Sequence, residues 1–192
     1  MGDAWDAVTN AFTGTYRPTP SSEWRKPDCL VVHAFGLVQA ARDFSQRSPR
    51  LGQTNEELAA YIEVNGLGRL PKIMQIEVQR AYEELSPGSL YPIYSITENR
   101  SRGAYLDTRE VNAQAASIME HYGYRNAVIV AQAHHVMRAA RTLRRMGVGV
   151  VIPPGLPKDF DRKAEQTEVR SAIRFGLRSA AAVAIYRFHG WI

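Results

Sequence analysis

The chain has one cysteine, Cys29, in 192 residues, which excludes an intramolecular disulfide framework and a cysteine-rich zinc site. A reducing, cytoplasmic setting fits that usage best. No apolar run approaches the roughly 20 residues that a membrane-crossing helix needs, and residues 1–15 lack the basic start and apolar core of a secretory leader. A soluble protein with no transmembrane segment is expected. A Walker-type loop, a full G-x-G-x-x-G and a G-x-S-x-G are also missing, so P-loop ATP hydrolysis, ordinary dinucleotide redox chemistry and α/β-hydrolase catalysis lack their signatures. Three histidines, His33, His134 and His135, show no H-E-x-x-H or comparable ligand spacing, and no metal site is expected. No internal repeat and no low-complexity tract is visible.

What is present is a balanced globular composition with a basic excess. Lys and Arg number 24 against 19 Asp and Glu, giving a formal charge of +5, and 45% of residues are hydrophobic. One good core is affordable at this length, so a single domain is the default. The charge suits a small anionic ligand, but the basic residues are spread along the chain, and no specific nucleic-acid partner is expected. The segment 17–27, with its Pro and Ser residues, reads as a connector. It leaves residues 1–27 as an N-terminal arm and connector, with at most a short helical turn, and residues 28–192 as one α/β domain.

Strand and helix patterns alternate beyond that point. Residues 29–32 are a short apolar run suited to a buried parallel strand. Thr54 looks like a cap for a helix over 54–62, with acids in its first turn. Residues 72–78 read as a strand that passes into a helix ending at Leu85, and 91–96 as an edge strand because of Pro92. A loop follows over 98–105. Thr108 can cap a helix to Tyr122, closed by Gly123. The clearest unit is 126–152: an apolar strand over 127–131, a basic helix headed by His134, His135 and Arg138, and a second apolar strand over 148–152. Residues 153–157 break the chain, and 165–188 read as a terminal helix with Arg170, Arg174 and Arg178 on a solvated stripe opposite Ile173, Leu177 and Val183. Such alternation predicts a three-layer α/β/α sandwich around a mostly parallel sheet.

In the 126–152 unit a strand's carboxyl end and a helix amino end meet at one spot, where unpaired N–H groups and the helix dipole favour an anion. His135 can act as general base or phosphate donor near neutral pH. Arg138, three residues on, shares its helix face and can hold phosphate or carboxylate with a two-pronged guanidinium. Arg141, Arg144 and Arg145 continue the helix as a solvated face. His33 and Asp28 flank the first strand and are further candidates.

The stretch V-I-V-A-Q-A-H-H-V-M-R-A-A, with the R-R-M-G-V-G-V-V that follows, resembles the "VTSxxHxxRA" signature of the YdcF/SanA/ElyC-like family, with His135 and Arg138 on its His and Arg. Thr108, Arg109 and Glu110 resemble the family's "NTxEN" helix start, and Glu98 stands for the acid that precedes it. Asp107 and Val111 replace the two Asn, with Asn112 one place late, and His33-Ala34-Phe35-Gly36 replaces a more Gly-rich turn. The resemblance covers roughly residues 28 to 157. It implies a Rossmann-like fold, a crevice at the strand carboxyl ends, S-adenosylmethionine as a possible ligand, and a link to envelope or lipid-carrier metabolism in bacteria. It places Glu110 beside His135 as a catalytic pair, with Arg138, Thr108, His134, Glu98 and His33 as ligand-binding residues.

Three functions follow as expectations. One is a domain that binds a small anionic or nucleotide-like ligand in the crevice. Another is a phosphoester or pyrophosphate hydrolase in which His135 and Glu110 do acid–base work and Arg138 stabilises phosphoryl charge. The last is a non-catalytic adaptor whose basic terminal helix meets an acidic partner.

Overall fold

Short runs rich in Val and Ile, bounded by turn residues, become five parallel strands in the computed structural model of the chain. It describes residues 2–24, 26–36, 51–101 and 104–192; Arg25 of the connector, and Arg102 and Gly103 of the 98–105 loop, lie outside the described residues. The strands are β1 (Cys29–Val32), β2 (Lys72–Gln75), β3 (Ile93–Ile96), β4 (Asn126–Val130) and β5 (Gly149–Val151). They lie in the order β3-β2-β1-β4-β5, with Leu30 beside both Lys72 and Val128. Cys29 to Val32 and Ala127 to Val130 are fully buried. Both faces of the central strands are covered, which is why they read as continuous apolar runs rather than alternating ones.

Among the described residues six α-helices accompany the sheet: α1 (Gly2–Thr13), α2 (Gln53–Val64), α3 (Ile76–Leu85), α4 (Thr108–Tyr122), α5 (Val136–Arg145) and α6 (Ala172–Phe188). The chain steps from β1 to β2 to β3, then returns past β1 to β4 and β5. Right-handed crossovers therefore put α2 and α3 on one face and α4 and α5 on the other, and α2 packs on α3 while α4 packs on α5. The result is a Rossmann-like three-layer sandwich. Its direction reverses between β1 and β4, and the segments that leave the carboxyl ends of those two strands border a crevice there.

Several local expectations need correction. Gly52, not Thr54, caps α2, because the Thr54 hydroxyl donates instead to the Asp159 carbonyl. Asp107, not Thr108, caps α4, accepting from the Glu110 N–H at 2.8 Å. The terminal helix begins at Ala172 under a Ser171 cap, after a separate 3-10 turn at Thr167–Arg170. Residues 2–13 form a 12-residue helix, longer than the single turn expected of an arm. Its Ala7 and Ala11 are buried, and it packs on α6 and α5.

Candidate functional site

The crevice has a volume of about 450 Å³. Its floor is made by residues at and beyond the strand ends: His33 to Gly36 after β1, Gln75 at the end of β2 and Glu77 beyond it, Thr97 after β3 and His135 after β4. Phe175, Arg178, Ala182 and Ile185 of α6 form its roof.

The turn after β1 offers no free backbone donors at its first three positions. The N–H groups of His33, Ala34 and Phe35 donate to the Val130 carbonyl, Gln75 Oε1 and Asn55 Oδ1 at 2.9, 3.0 and 2.9 Å. Gly36 sits at φ +75°, and a Cβ there would lie 2.9 Å from Val169 Cγ2. This turn is a packed corner rather than a phosphate cradle. Phe35 anchors it in a small second cluster with Ala11, Ala164, Val169 and Phe175.

The amino end of α5 is equally occupied, which corrects the expectation of an anion site made by free helix N–H groups. The His134 N–H donates to Gln132 Oε1, those of His135 and Val136 to the Gln132 carbonyl, and that of Met137 to Asn10 Oδ1. The cationic feature of the crevice is instead the Arg138 side chain. It projects from the first turn of α5, half-buried. NH1 donates to Ser179 Oγ and NH2 to His135 Nδ1, both at 3.1 Å. Nε is sealed from solvent with no partner, and no carboxylate pairs with this guanidinium among the described residues. Burial lowers its pKa, and Arg178 adds to that while Asp107 opposes it.

Arg138 fixes the state of its neighbour. An arginine only donates, so His135 Nδ1 must accept and the ring carries its proton on Nε2. Burial first, then Arg138 and His33, hold the His135 pKa well below the ordinary value. The His33 ring stands edge-on to it at 5.4 Å between centroids. Asn112, buried in α4, donates from Nδ2 to the Ala139 carbonyl at 2.9 Å. Its Oδ1 therefore accepts from His33 Nε2, also at 2.9 Å, which leaves Nδ1 as the lone-pair nitrogen of His33. Burial pushes His33 down to about 4. Two neutral imidazoles thus flank one unpaired guanidinium.

Thr108 reaches the crevice wall but is almost covered. The α4 amino end beside it is closed, because the Arg109 N–H donates to the Tyr186 hydroxyl at 3.1 Å and Asp107 takes the next one. Across the crevice, Glu77 lies in the first turn of α3, partly exposed, and its Oε2 has no hydrogen-bond partner. Burial raises its pKa. At the roof, Arg178 pairs with Glu168 and stands over the Tyr105 ring.

Of the seven predicted site residues, His33, Thr108, His135 and Arg138 line this crevice, and His134, Glu110 and Glu98 do not. His134 turns to α1, its Nδ1 3.1 Å from the Ala11 carbonyl and its ring packed on Phe160. Glu110 faces the other side of α4. Its Oε1 accepts from Arg100 Nε at 2.7 Å and from Gln114 at 3.0 Å, and Arg100 holds its carboxyl down at about 2. Glu98 borders a separate shallow hollow with Arg100 and Gln114. Asp28 precedes β1 and so lies at the opposite end of the sheet, where its carboxylate accepts from the Arg125 and Asn126 N–H groups. In the basic runs, Arg141 pairs with Asp6, Arg144 donates to the Val150 carbonyl and Arg170 to the Ala164 carbonyl. The α6 stripe is turned from its expected orientation. Ile173 and Leu177 are exposed, while Arg178 reaches over the crevice.

Glu77 and Arg178 were not foreseen. An acid just beyond an apolar parallel strand was the available signal for Glu77, masked by its ordinary role in a helix first turn. Among the described residues no group of His, Cys, Asp and Glu is placed to hold a metal ion, and no helix is long and apolar enough to cross a membrane. Fold and site define a Rossmann-like α/β domain with a crevice at its topological switch point, into which Arg138 projects without a carboxylate partner among the described residues. Comparisons with family models, with curated proteins and with solved structures find no match.

Proposed function

We propose that this domain binds a small anionic or nucleotide-like ligand in the crevice, with Arg138 as the principal contact and His135 Nε2–H as a neutral donor beside it. The observation that carries this reading is the guanidinium itself. It is half-buried among side chains that give it two hydrogen bonds and no counter-charge. Desolvating a cation without a carboxylate is costly, and a ligand anion offsets that cost. The crevice sits where open α/β sheets take their ligands, and its volume is in the usual range for a small-molecule site.

S-adenosylmethionine is the ligand that the family resemblance implies. Its carboxylate suits Arg138, and the unpartnered Glu77 suits its donor groups. Hydrolysis with His135 and Glu110 as an acid–base pair has little support, since Glu110 is engaged with Arg100 on another face. An adaptor role has less support than binding, because the crevice is open and its Arg138 has no carboxylate partner among the described residues.

Thermal shift and calorimetric titration with inorganic phosphate, AMP and S-adenosylmethionine test the reading. At least one of these ligands is expected to stabilise the wild-type protein, and Arg138→Met to lose about tenfold or more in affinity. Equal responses of wild type and Arg138→Met, or no response to any of the three, overturn it.

A further inference from the structure

A second unpaired charge lines the same crevice. Glu77 stands at the carboxyl end of β2 and Arg138 at the carboxyl end of β4, with β1 between them. Strand spacing puts those two ends roughly 10 Å apart, so the side chains close part of the gap without forming an ion pair, and none is present. Among the described residues Oε2 of Glu77 finds no donor and Nε of Arg138 finds no acceptor. Two orphaned groups of opposite kind in the lining of one cavity, one beyond each strand that flanks β1, describe a ligand with an acceptor at one end and a donor at the other. Each orphan costs stability, and a purely structural role would have paired them or replaced them with apolar side chains.

The donor end is better matched by hydroxyl than by ammonium. Near Glu77 the lining is neutral and polar, Gln75 and Thr97, with no second carboxylate among the lining residues on the floor beside it. An ammonium would meet one free acid, because the other acids of the lining are engaged, Glu168 with Arg178 and Asp107 with the Glu110 N–H, and the cavity also holds Arg138. A hydroxyl can donate to Glu77 while exchanging further hydrogen bonds with Thr97 and Gln75.

We infer that the ligand is a hydroxylated phosphate, a sugar phosphate or the ribose phosphate of a nucleotide, with its anionic group on Arg138 and a hydroxyl donating to Glu77. This rests on the anion-binding reading above and adds the second contact. Glu77 is then a specificity-determining residue. It selects among phosphates rather than capturing the phosphate itself.

Calorimetric titration with three probes tests it: propyl phosphate, which has the anion and no hydroxyl; ribose 5-phosphate; and phosphoethanolamine, which has an ammonium. Wild-type protein is expected to bind ribose 5-phosphate about tenfold more tightly than propyl phosphate, the effect of one charge-assisted hydrogen bond. Glu77→Leu is expected to erase that difference, leave propyl phosphate unchanged, and melt no lower than wild type, because it removes an unpaired buried carboxyl. If Glu77→Leu fails to fold, Glu77→Gln keeps the shape and one acceptor and is expected to retain only part of the preference. Arg138→Met is expected to weaken both phosphates. Equal binding of ribose 5-phosphate and propyl phosphate, untouched by Glu77→Leu, overturns the inference and leaves the anion site standing. A Glu77-dependent preference for phosphoethanolamine overturns the hydroxyl assignment. Failure of all three probes to bind the wild type removes the anion site and the inference together.

Discussion

His33 and His135 are neutral for different reasons, and together they give the crevice a pH signature. Asn112 holds the His33 proton on Nε2, and Arg138 holds the His135 proton on its own Nε2. Neither ring has a carboxylate partner to stabilise a second proton among the described residues. In the unfolded chain each histidine titrates near 6.5, whereas native His33 does so at about 4. The unfolded state therefore binds protons that the native state refuses across that window. Stability is intact above 6.5 and falls as the pH drops toward 4. For His33 alone this amounts to ~3 kcal/mol, with His135 acting in the same sense. Glu77, whose pKa is raised by burial, works the other way, since its native carboxyl takes up a proton more readily than the unfolded one. Urea midpoints are expected to fall from about pH 7 to about pH 5, and to fall less in His33→Gln, which still donates to Asn112 but does not titrate. Parallel pH profiles for the two proteins would show that His33 is not the group responsible.

At the scale of elements, α1 is where sequence reading fell furthest short. It has Asp3 in its first turn but carries only a short apolar stripe, and its helix is stabilised by what it covers rather than by its own pattern. The key side chain is Asn10. Buried to 1% exposure, it donates to the Thr15 and Ala133 carbonyls and accepts from the Met137 N–H. It thus ties α1 to the turn that carries His135 and Arg138. Asn10→Ala leaves the Ala133 carbonyl without that donor, and a cost of about 1–3 kcal/mol is expected. The loss should show in the melting of the whole domain, followed by near-UV circular dichroism. An unchanged transition would mean that α1 is a detachable appendage. By contrast, β1, β4 and α5 were legible from the chain alone, because a buried parallel strand is a run of Val, Ile and Ala and needs no partner to be recognised. Glu110 and Glu98 misled for a related reason: spacing places an acid on a helix or loop, but only packing decides which face that acid turns toward. Glu110 turned to Arg100 and away from His135.

Across the whole molecule, stability is unevenly distributed, and the crevice lies on the boundary. The sheet and helices α2 to α5 share one large core around β1 and β4. The roof rests mainly on the small cluster of Ala11, Phe35, Ala164, Val169 and Phe175, while α6 leaves Ile173, Leu177, Ile185 and Phe188 exposed at 69%, 64%, 55% and 87%. Sequence patterning assigned Ile173, Leu177 and Val183 to the core side of α6. Val183 is buried, but Ile173 and Leu177 are not, because Phe175, Ser179 and Tyr186 share the buried side with Val183, and a helix with apolar residues all round does not announce its buried face. An element that buries little opens at lower free energy than the core it covers. Amide hydrogens in the middle of α6 are therefore expected to exchange through local openings at least ~2 kcal/mol below those of β1 and β4. A ligand held by Arg138, whose NH1 also donates to Ser179 of α6, should slow exchange in α6 and leave the strands unaffected. Hydrogen exchange followed by mass spectrometry, with and without ribose 5-phosphate, reads both effects. Identical opening free energies for α6 and the strands would make the roof part of the global unit, and ligand entry would then have to occur through a crevice that is already open.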